Sequence, residues 1–457
     1  MSSTKKGLSP KACIMMAIGG MVGSSIFTLS GVTYGMAGPA AIVTWFLAGM
    51  ILLLYALNVA ELATTFPKSG GVYVYPHEVL GKTQKGKNFA GWIAAWFWLN
   101  TSIFGTTFSA ICVSTYMESF FPIVSESRAL RMLIPLLWIF LTWFLNARSA
   151  DAFGKIHNKI TMTLLCVLSV YVILGIINGD SINMRPFISG NMGSAGIIAG
   201  IPLAMLGYGA IIAVASFGGE IENPKKNIPR IIVTAIICTV TVNCLILFST
   251  FRMAPVGELV AADAQYYPLA FALGRVMTGK WGWVVSIVPL AALLALTGNM
   301  SILIMDASRT VMATAQSGFL PGKLGEIHPQ KNTPIAALSL VAVICGLLSL
   351  RPDWINIIIN AGSICSAITV AIISVTLMVL RKKQKTGVIA EKGEFRVPGG
   401  ILMPSVTLVV ILITLVLLYF GEGGTTAYLM AGAWFAAGII IFAVKEVIKK
   451  SDGCKTV

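Results

Sequence analysis

The chain has 457 residues, of which 56% are hydrophobic and only 11% charged, whereas soluble domains are roughly half apolar and about a quarter charged. That deficit excludes an ordinary soluble domain, and the recurring uninterrupted apolar stretches each suffice to cross a hydrocarbon core of about 30 Å. The net charge of +15 does not indicate nucleic acid, because every Lys and Arg except Arg128, Arg131, Arg185, Arg252, Arg275, Lys280 and Arg351 falls on one side of a twelve-segment threading. The positive-inside rule makes that side, which carries both termini, the cytoplasm.

The predicted fold is an all-α polytopic membrane protein with twelve transmembrane helices. Their centres lie near Gly23, Gly49, Ile103, Trp138, Leu168, Ala204, Val240, Leu293, Leu340, Ile368, Val410 and Gly438. The first segment follows Lys5, Lys6 and Lys11 as a secretory leader would, but its length and the immediate start of the next span predict a retained helix. Gly19, Gly20, Gly23, Ser24 and Ser25 crowd its middle. A glycine inside a helix costs about 0.5–1 kcal/mol relative to alanine, so this stretch is either an unwound helix lining a ligand cavity or a small-residue contact between helices.

Segment two ends at Glu61, which is expected to pair with Lys68 across a turn marked by Pro67, Gly70 and Gly71. Trp92, Trp96 and Trp98 in segment three are predicted interfacial anchors. Asn100, an amide at membrane depth, either bonds across helices or faces a ligand. A polar, basic connection, residues 146–161, leads into segment five. His77, His157 and His328 all fall in predicted cytoplasmic connections, and the eight cysteines, with no Cys-x-x-Cys among them, read as small buried hydrophobes. No metal site, cofactor site, nucleophile triad or phosphate-binding loop is predicted.

Segment six repeats the oddity of segment one, with Gly207 and Gly209 in mid-span. Two glycine-interrupted segments at corresponding places in two five-segment halves indicate an inverted-repeat transporter with a site near the membrane midplane. The organisation expected is a tail (1–11), a first repeat (12–178), a second repeat (195–380) with helices 1 and 6 broken, two further helices (401–447) and a second tail (448–457). Asp306 and Arg309 on segment eight are three residues apart and able to pair. Arg381-Lys382-Lys383-Gln384-Lys385 reads as a cytoplasmic basic loop.

Four motifs then resemble the amino acid, polyamine and organocation transporters over nearly the whole chain. They are Gly19 to Phe27; Glu61-Leu62-Ala63 through Pro67, Gly70, Gly71 and Tyr73; Glu222-Asn223-Pro224-Lys225-Lys226-Asn227-Ile228-Pro229; and Ser308-Arg309 with Gly318-Phe319-Leu320-Pro321. The resemblance implies a five-plus-five inverted repeat with two extra helices, and secondary active transport by alternating access across the cell membrane. It also implies that a substrate α-carboxylate meets Gly23, Ser24 and Ser25, and that the α-ammonium meets the carbonyls of Met21, Leu206 and Gly209, with Tyr208 as a gate or wall. This follows the physical rule that helix N-termini favour anions and C-termini cations.

The chain departs from that family at several positions. Ser25 stands where glycine is usual, Ile212 where cation exchangers carry glutamate, and Leu303 where they carry tryptophan. The expected substrate is therefore a neutral amino acid; the alternative, a polyamine or other organic cation, would need Asp306 or Glu220 at the cavity. Leu164 replaces the segment-five lysine of some proton-coupled relatives. The coupling ion is H+ or Na+, or the protein exchanges amino acids, with Glu220 the titratable candidate and Thr297 and Ser301 candidate oxygen ligands. An intramembrane enzyme would need converging acid, base and nucleophile, and the sequence offers none.

Overall fold

A computed structural model describes residues 8–68, 70–118, 120–148, 150–213, 221–260, 267–420 and 424–454. Helix dominates; the described residues contain no strand beyond an isolated bridge between Leu8 and Ile221. Nine helical stretches among them are long and apolar enough to cross a membrane, so the chain is a multi-pass membrane protein. Every predicted segment centre but Gly23, which falls in a break between two helices, lies in helical structure, and the helices before Gly23 and at Leu340 are shorter than a full span.

The first segment forms two helices. Helix α1 (Pro10–Met21) starts where the Ser9 hydroxyl accepts from the Ala12 N–H, with proline at its first turn. Helix α2 (Ser24–Ala37) follows, stopping at Gly38, whose φ of 69° favours glycine. Then come α3 (Ala41–Thr65), the short α4 (Gly71–Val79), α5 (Gln84–Glu118), α6 (Arg128–Asn146) and α7 (Ala150–Asn178). Two short helices, α8 (Ala195–Ala199) and α9 (Ile201–Met205), run into a 3-10 segment, Leu206–Ile212. The remainder comprises α10 (Pro224–Met253), α11 (Pro268–Val276), α12 (Ile287–Gln316), α13 (Ile335–Ser349), α14 (Ile355–Lys385), α15 (Leu402–Phe420) and α16 (Gly424–Cys454).

The core is built on α12, which is buried along most of its length and packs against α5, while α1 sits between α7, α10 and α12. Helices α6, α15 and α16 are largely exposed and apolar outside, as at Leu137, Val416 and Ile440. Without water, apolar surface on the outside is stable only against lipid.

Three expectations change with the fold. Trp92 and Trp98 are buried rather than interfacial: the Trp92 indole donates to Gly438 O at 2.8 Å, and Trp98 donates to the Asp306 carboxylate at 2.6 Å. Trp96 and Trp434 each donate to the other's carbonyl, at 2.7 and 2.9 Å. In an apolar interior, an indole N–H needs a partner and finds it on the next helix. Glu61 pairs not with Lys68 but with Arg381 on α14, whose Nε donates at 2.9 Å; the exposed Lys68 takes Glu78 at 2.7 Å. His157, expected in a loop, is buried inside the span that starts at Phe153.

Candidate functional site

The site grows from the gap between α1 and α2. The Val22 N–H still reaches Ile18 O, but Gly23 is extended, so the helix stops over Val22 and Gly23 and restarts at Ser24. This break leaves the carbonyls of Gly19, Gly20 and Met21 without donors from their own helix, and the first N–H groups of α2 without acceptors. No side chain caps α2. Two opposed helix ends, one partly negative and one partly positive, therefore meet within three residues.

Asn299 of α12 holds the gap open. Its side-chain N–H donates to Gly20 O at 2.6 Å, and its oxygen accepts from the Ser109 hydroxyl of α5 at 2.9 Å. The close approach accounts for glycine at position 23, where a Cβ would lie 2.9 Å from Asn299 Cβ and Nδ2. Gly19 is equally confined: a Cβ there would meet Thr161 Oγ1 at 2.1 Å and His157 Cε1 at 2.8 Å. His157 in turn lies 3.2 Å from Gly298 O and 3.3 Å from the Thr161 hydroxyl.

Beside this junction lies a cavity of about 110 Å³, room for several waters or one small solute. Its wall combines Ser25 and Asn299 with Trp98, Thr101, Phe104 and Phe108 of α5, Leu206, Gly209 and Ala210 of the 3-10 segment, Leu303, and residues of α14 and α15. No Asp, Glu, Lys, Arg or His lines it among the described residues. Asp306 stands one layer back, its carboxylate bound by Trp98 and by the Ser102 hydroxyl at 2.9 Å.

Of the residues singled out in the sequence, the fold brings Ser25, Leu206, Gly209 and Leu303 onto this wall, with Gly23 against Asn299. Gly209 faces open space: a Cβ there meets nothing within 4 Å. Met21, Asn100, Tyr208 and Ile212 are buried away from it. The Tyr208 hydroxyl donates to Trp45 O at 3.0 Å, and neither amide atom of Asn100 has a hydrogen-bond partner. The backbone of Ser24 opens α2, while its side chain and the whole of Glu220 lie outside the described residues. Segment six is tightened rather than unwound over Leu206–Ile212, so its described carbonyls point along a 3-10 ladder.

Thr297 and Ser301 do not line the cavity. Thr297 donates to Leu293 O and accepts from the Trp138 indole at 2.8 Å, and Ser301 donates to Thr297 O. The described residues contain no cluster of three His, Cys, Asp or Glu that could hold a metal.

The profile of the family described as "Amino acid permease" matches residues 8–444. The chain belongs to the amino acid permease family. Among its relatives, the permease is 24% identical to the branched-chain amino acid permease BcaP of Bacillus subtilis (strain 168), over 96% of this chain and 93% of that protein. It is 27% identical to the methylthioribose transporter of the same organism, with the same coverage. It is also 28% identical to the large neutral amino acids transporter small subunit 2 of Homo sapiens, over 79% of this chain and 67% of that protein.

Asn299, Ser109 and His157 had no role assigned from the permease's sequence. An asparagine inside an apolar helix is a recognisable signal, and Asn299 carries it. Nothing local to Ser109 or His157 tells which helix end each will meet.

Proposed function

We propose that this permease is a secondary active transporter that moves a neutral amino acid across the cytoplasmic membrane by alternating access, through twelve spans arranged as a five-plus-five inverted repeat plus two, with both termini cytoplasmic. The observation that carries the proposal is the helix break at Val22–Gly23 beside a cavity with an uncharged wall. Uncapped amides of α2 suit an α-carboxylate, and the carbonyl end of α1, where Asn299 already binds Gly20 O, suits an α-ammonium. Phe104, Phe108, Leu206 and Leu303 leave an apolar space for the side chain, which supports a branched-chain or other large neutral substrate. The alternative, a polyamine or organic cation, has less support, because Asp306 is engaged by Trp98 and Ser102 behind the wall.

The proposal is tested by thermal unfolding of the purified protein with the twenty amino acids, their decarboxylated amines and polyamines. A ligand at about 100 times its Kd stabilises by about 2.7 kcal/mol. Stabilisation by neutral amino acids that vanishes on decarboxylation is expected; stabilisation by amines alone would overturn it. Coupling belongs to the same proposal in two forms, proton or sodium, separated by uptake into proteoliposomes under an imposed pH or sodium gradient.

A further inference from the structure

Residues 386–401, between α14 and α15, form a strap folded back onto the end of α3. Its anchor is Glu61: the carboxylate accepts from Val397 N at 2.7 Å and from Arg381, and Arg381 donates onward to Val397 O at 3.0 Å and to Gly400 O. Gln384 adds a bond to Glu391 O at 2.7 Å. At Gly393 a Cβ would lie 2.5 Å from the Thr64 hydroxyl and 3.0 Å from Thr65 N, so only glycine lets the strap run this close.

Strap and helix ends border an open-mouthed cavity of about 810 Å³ whose cations are Arg381, Lys382, Lys385, Lys392 and Arg396. Glu61, the one carboxylate among its described lining residues, is already bound by Arg381 and Val397. Lys382, Lys385, Lys392 and Arg396 are exposed at its mouth, whereas Arg381 is buried. The lining also changes character along one helix face. Val375, Met378, Lys382 and Lys385 of α14 all border the cavity, and their spacing of three and four residues puts them in one stripe. From Val375 to Lys385 the stripe climbs about 15 Å at 1.5 Å per residue. That is enough to pass from the hydrocarbon region into the headgroups. Val375 is exposed to the outside, and Leu408 of α15 completes the apolar end.

We propose that this cavity binds the headgroup phosphate of an anionic membrane phospholipid. Lys382, Lys385, Lys392 and Arg396 surround the phosphate, and an acyl chain lies along Val375 and Leu408. A free phosphate shares the headgroup chemistry but makes no use of the apolar half of the stripe. Basic pockets between membrane helices on the cytoplasmic side suit acidic headgroups, and each Lys or Arg near the surface contributes about 1 kcal/mol, or about fivefold. Because Glu61 and Arg381 join the strap to α3 and α14, an occupied cavity stabilises the contact between those helices.

The experiment measures the phospholipid retained by the full-length purified protein, and its thermal stability, on titration with phosphatidylglycerol, phosphatidylcholine or inorganic phosphate. Saturable retention of phosphatidylglycerol, with a rise in unfolding temperature that the other two do not give, is expected. In the triple variant Lys382→Gln, Lys385→Gln, Lys392→Gln, retention should fall by about fivefold per charge removed. The charge-matched variant Lys82→Gln, Lys85→Gln, Lys87→Gln should retain lipid as the wild type does. Equal losses in both variants would mean general attraction to the membrane and overturn the site. Inorganic phosphate stabilising as well as phosphatidylglycerol would overturn the lipid assignment. The wild-type titration needs no variant, so a triple mutant that failed to fold would leave the proposal open to refutation.

Discussion

Gly207 and Gly209 lie two residues apart on the same 3-10 segment, yet the structure assigns them opposite sensitivities. At Gly207 a Cβ would sit 2.8 Å from Trp45 Cζ3 and 3.5 Å from Ser25 Cβ. Trp45 is buried and its indole donates to Thr33 at 3.0 Å, so it has little room to yield. Gly207→Ala is therefore expected to cost about 1–3 kcal/mol, the usual cost of overpacking. At Gly209 a Cβ meets nothing within 4 Å, so Gly209→Ala should be neutral or stabilise by up to about 1 kcal/mol through the unfolded chain. Gly209→Phe should fold too, but its ring occupies a cavity of only about 110 Å³ and excludes the substrate. The assay is thermal unfolding with and without a saturating neutral amino acid. Wild type and Gly209→Ala should gain about 2.7 kcal/mol at 100 times Kd, and Gly209→Phe should gain nothing while unfolding normally by itself. A Gly209→Phe protein that is stabilised like the wild type would refute the placement of the site.

Other perturbations test the contacts around it. Glu61→Gln leaves the Arg381 guanidinium buried without its carboxylate, and removing one partner of a buried pair costs about 3–5 kcal/mol; Lys68→Gln breaks only an exposed pair, worth about 0–1 kcal/mol. Unfolding curves for the two should differ clearly, and equal effects would argue against the Glu61–Arg381 assignment. Gly19→Ala should lose about 1–3 kcal/mol against Thr161, and Thr161→Ala in the same chain should recover part of the loss in a double-mutant cycle. Asn299→Ala removes the bonds to Gly20 and Ser109, each worth about 0.5–1.5 kcal/mol, and should weaken substrate binding more than it lowers the unfolding temperature. Ile212→Glu, which would turn the permease towards cations if residue 212 faced the cavity, should instead destabilise it, because Ile212 is buried off the wall and a lone buried carboxylate is costly. A folded Ile212→Glu protein with raised affinity for cationic substrates would show that the segment rearranges.

The sequence by itself determined what depends on neighbours in the chain. Long apolar runs are helices because backbone groups in lipid must bond within their own segment, and twelve segment centres could be placed on that ground. Gly19, Gly20 and Gly23 were legible as a weak point because helix propensity is local, and the break does fall at Val22–Gly23. Segment six shows the limit of the same reasoning: its glycines permit a break, but over Leu206–Ile212 the backbone tightens instead, and Gly207 owes its identity to Trp45. Only the tertiary structure decided which groups meet. Glu61 has a lysine seven residues away and takes an arginine 320 residues away; Asp306 is met by Trp98 and Ser102 of another helix, 208 and 204 residues away. Asn299 finds the broken end of α1, 279 residues distant. Local spacing states which pairs are possible, whereas burial selects among them. Once water is excluded, a polar group binds whatever donor or acceptor the helix arrangement brings within about 3 Å, and the Asn100 amide, which meets neither, is left unsatisfied.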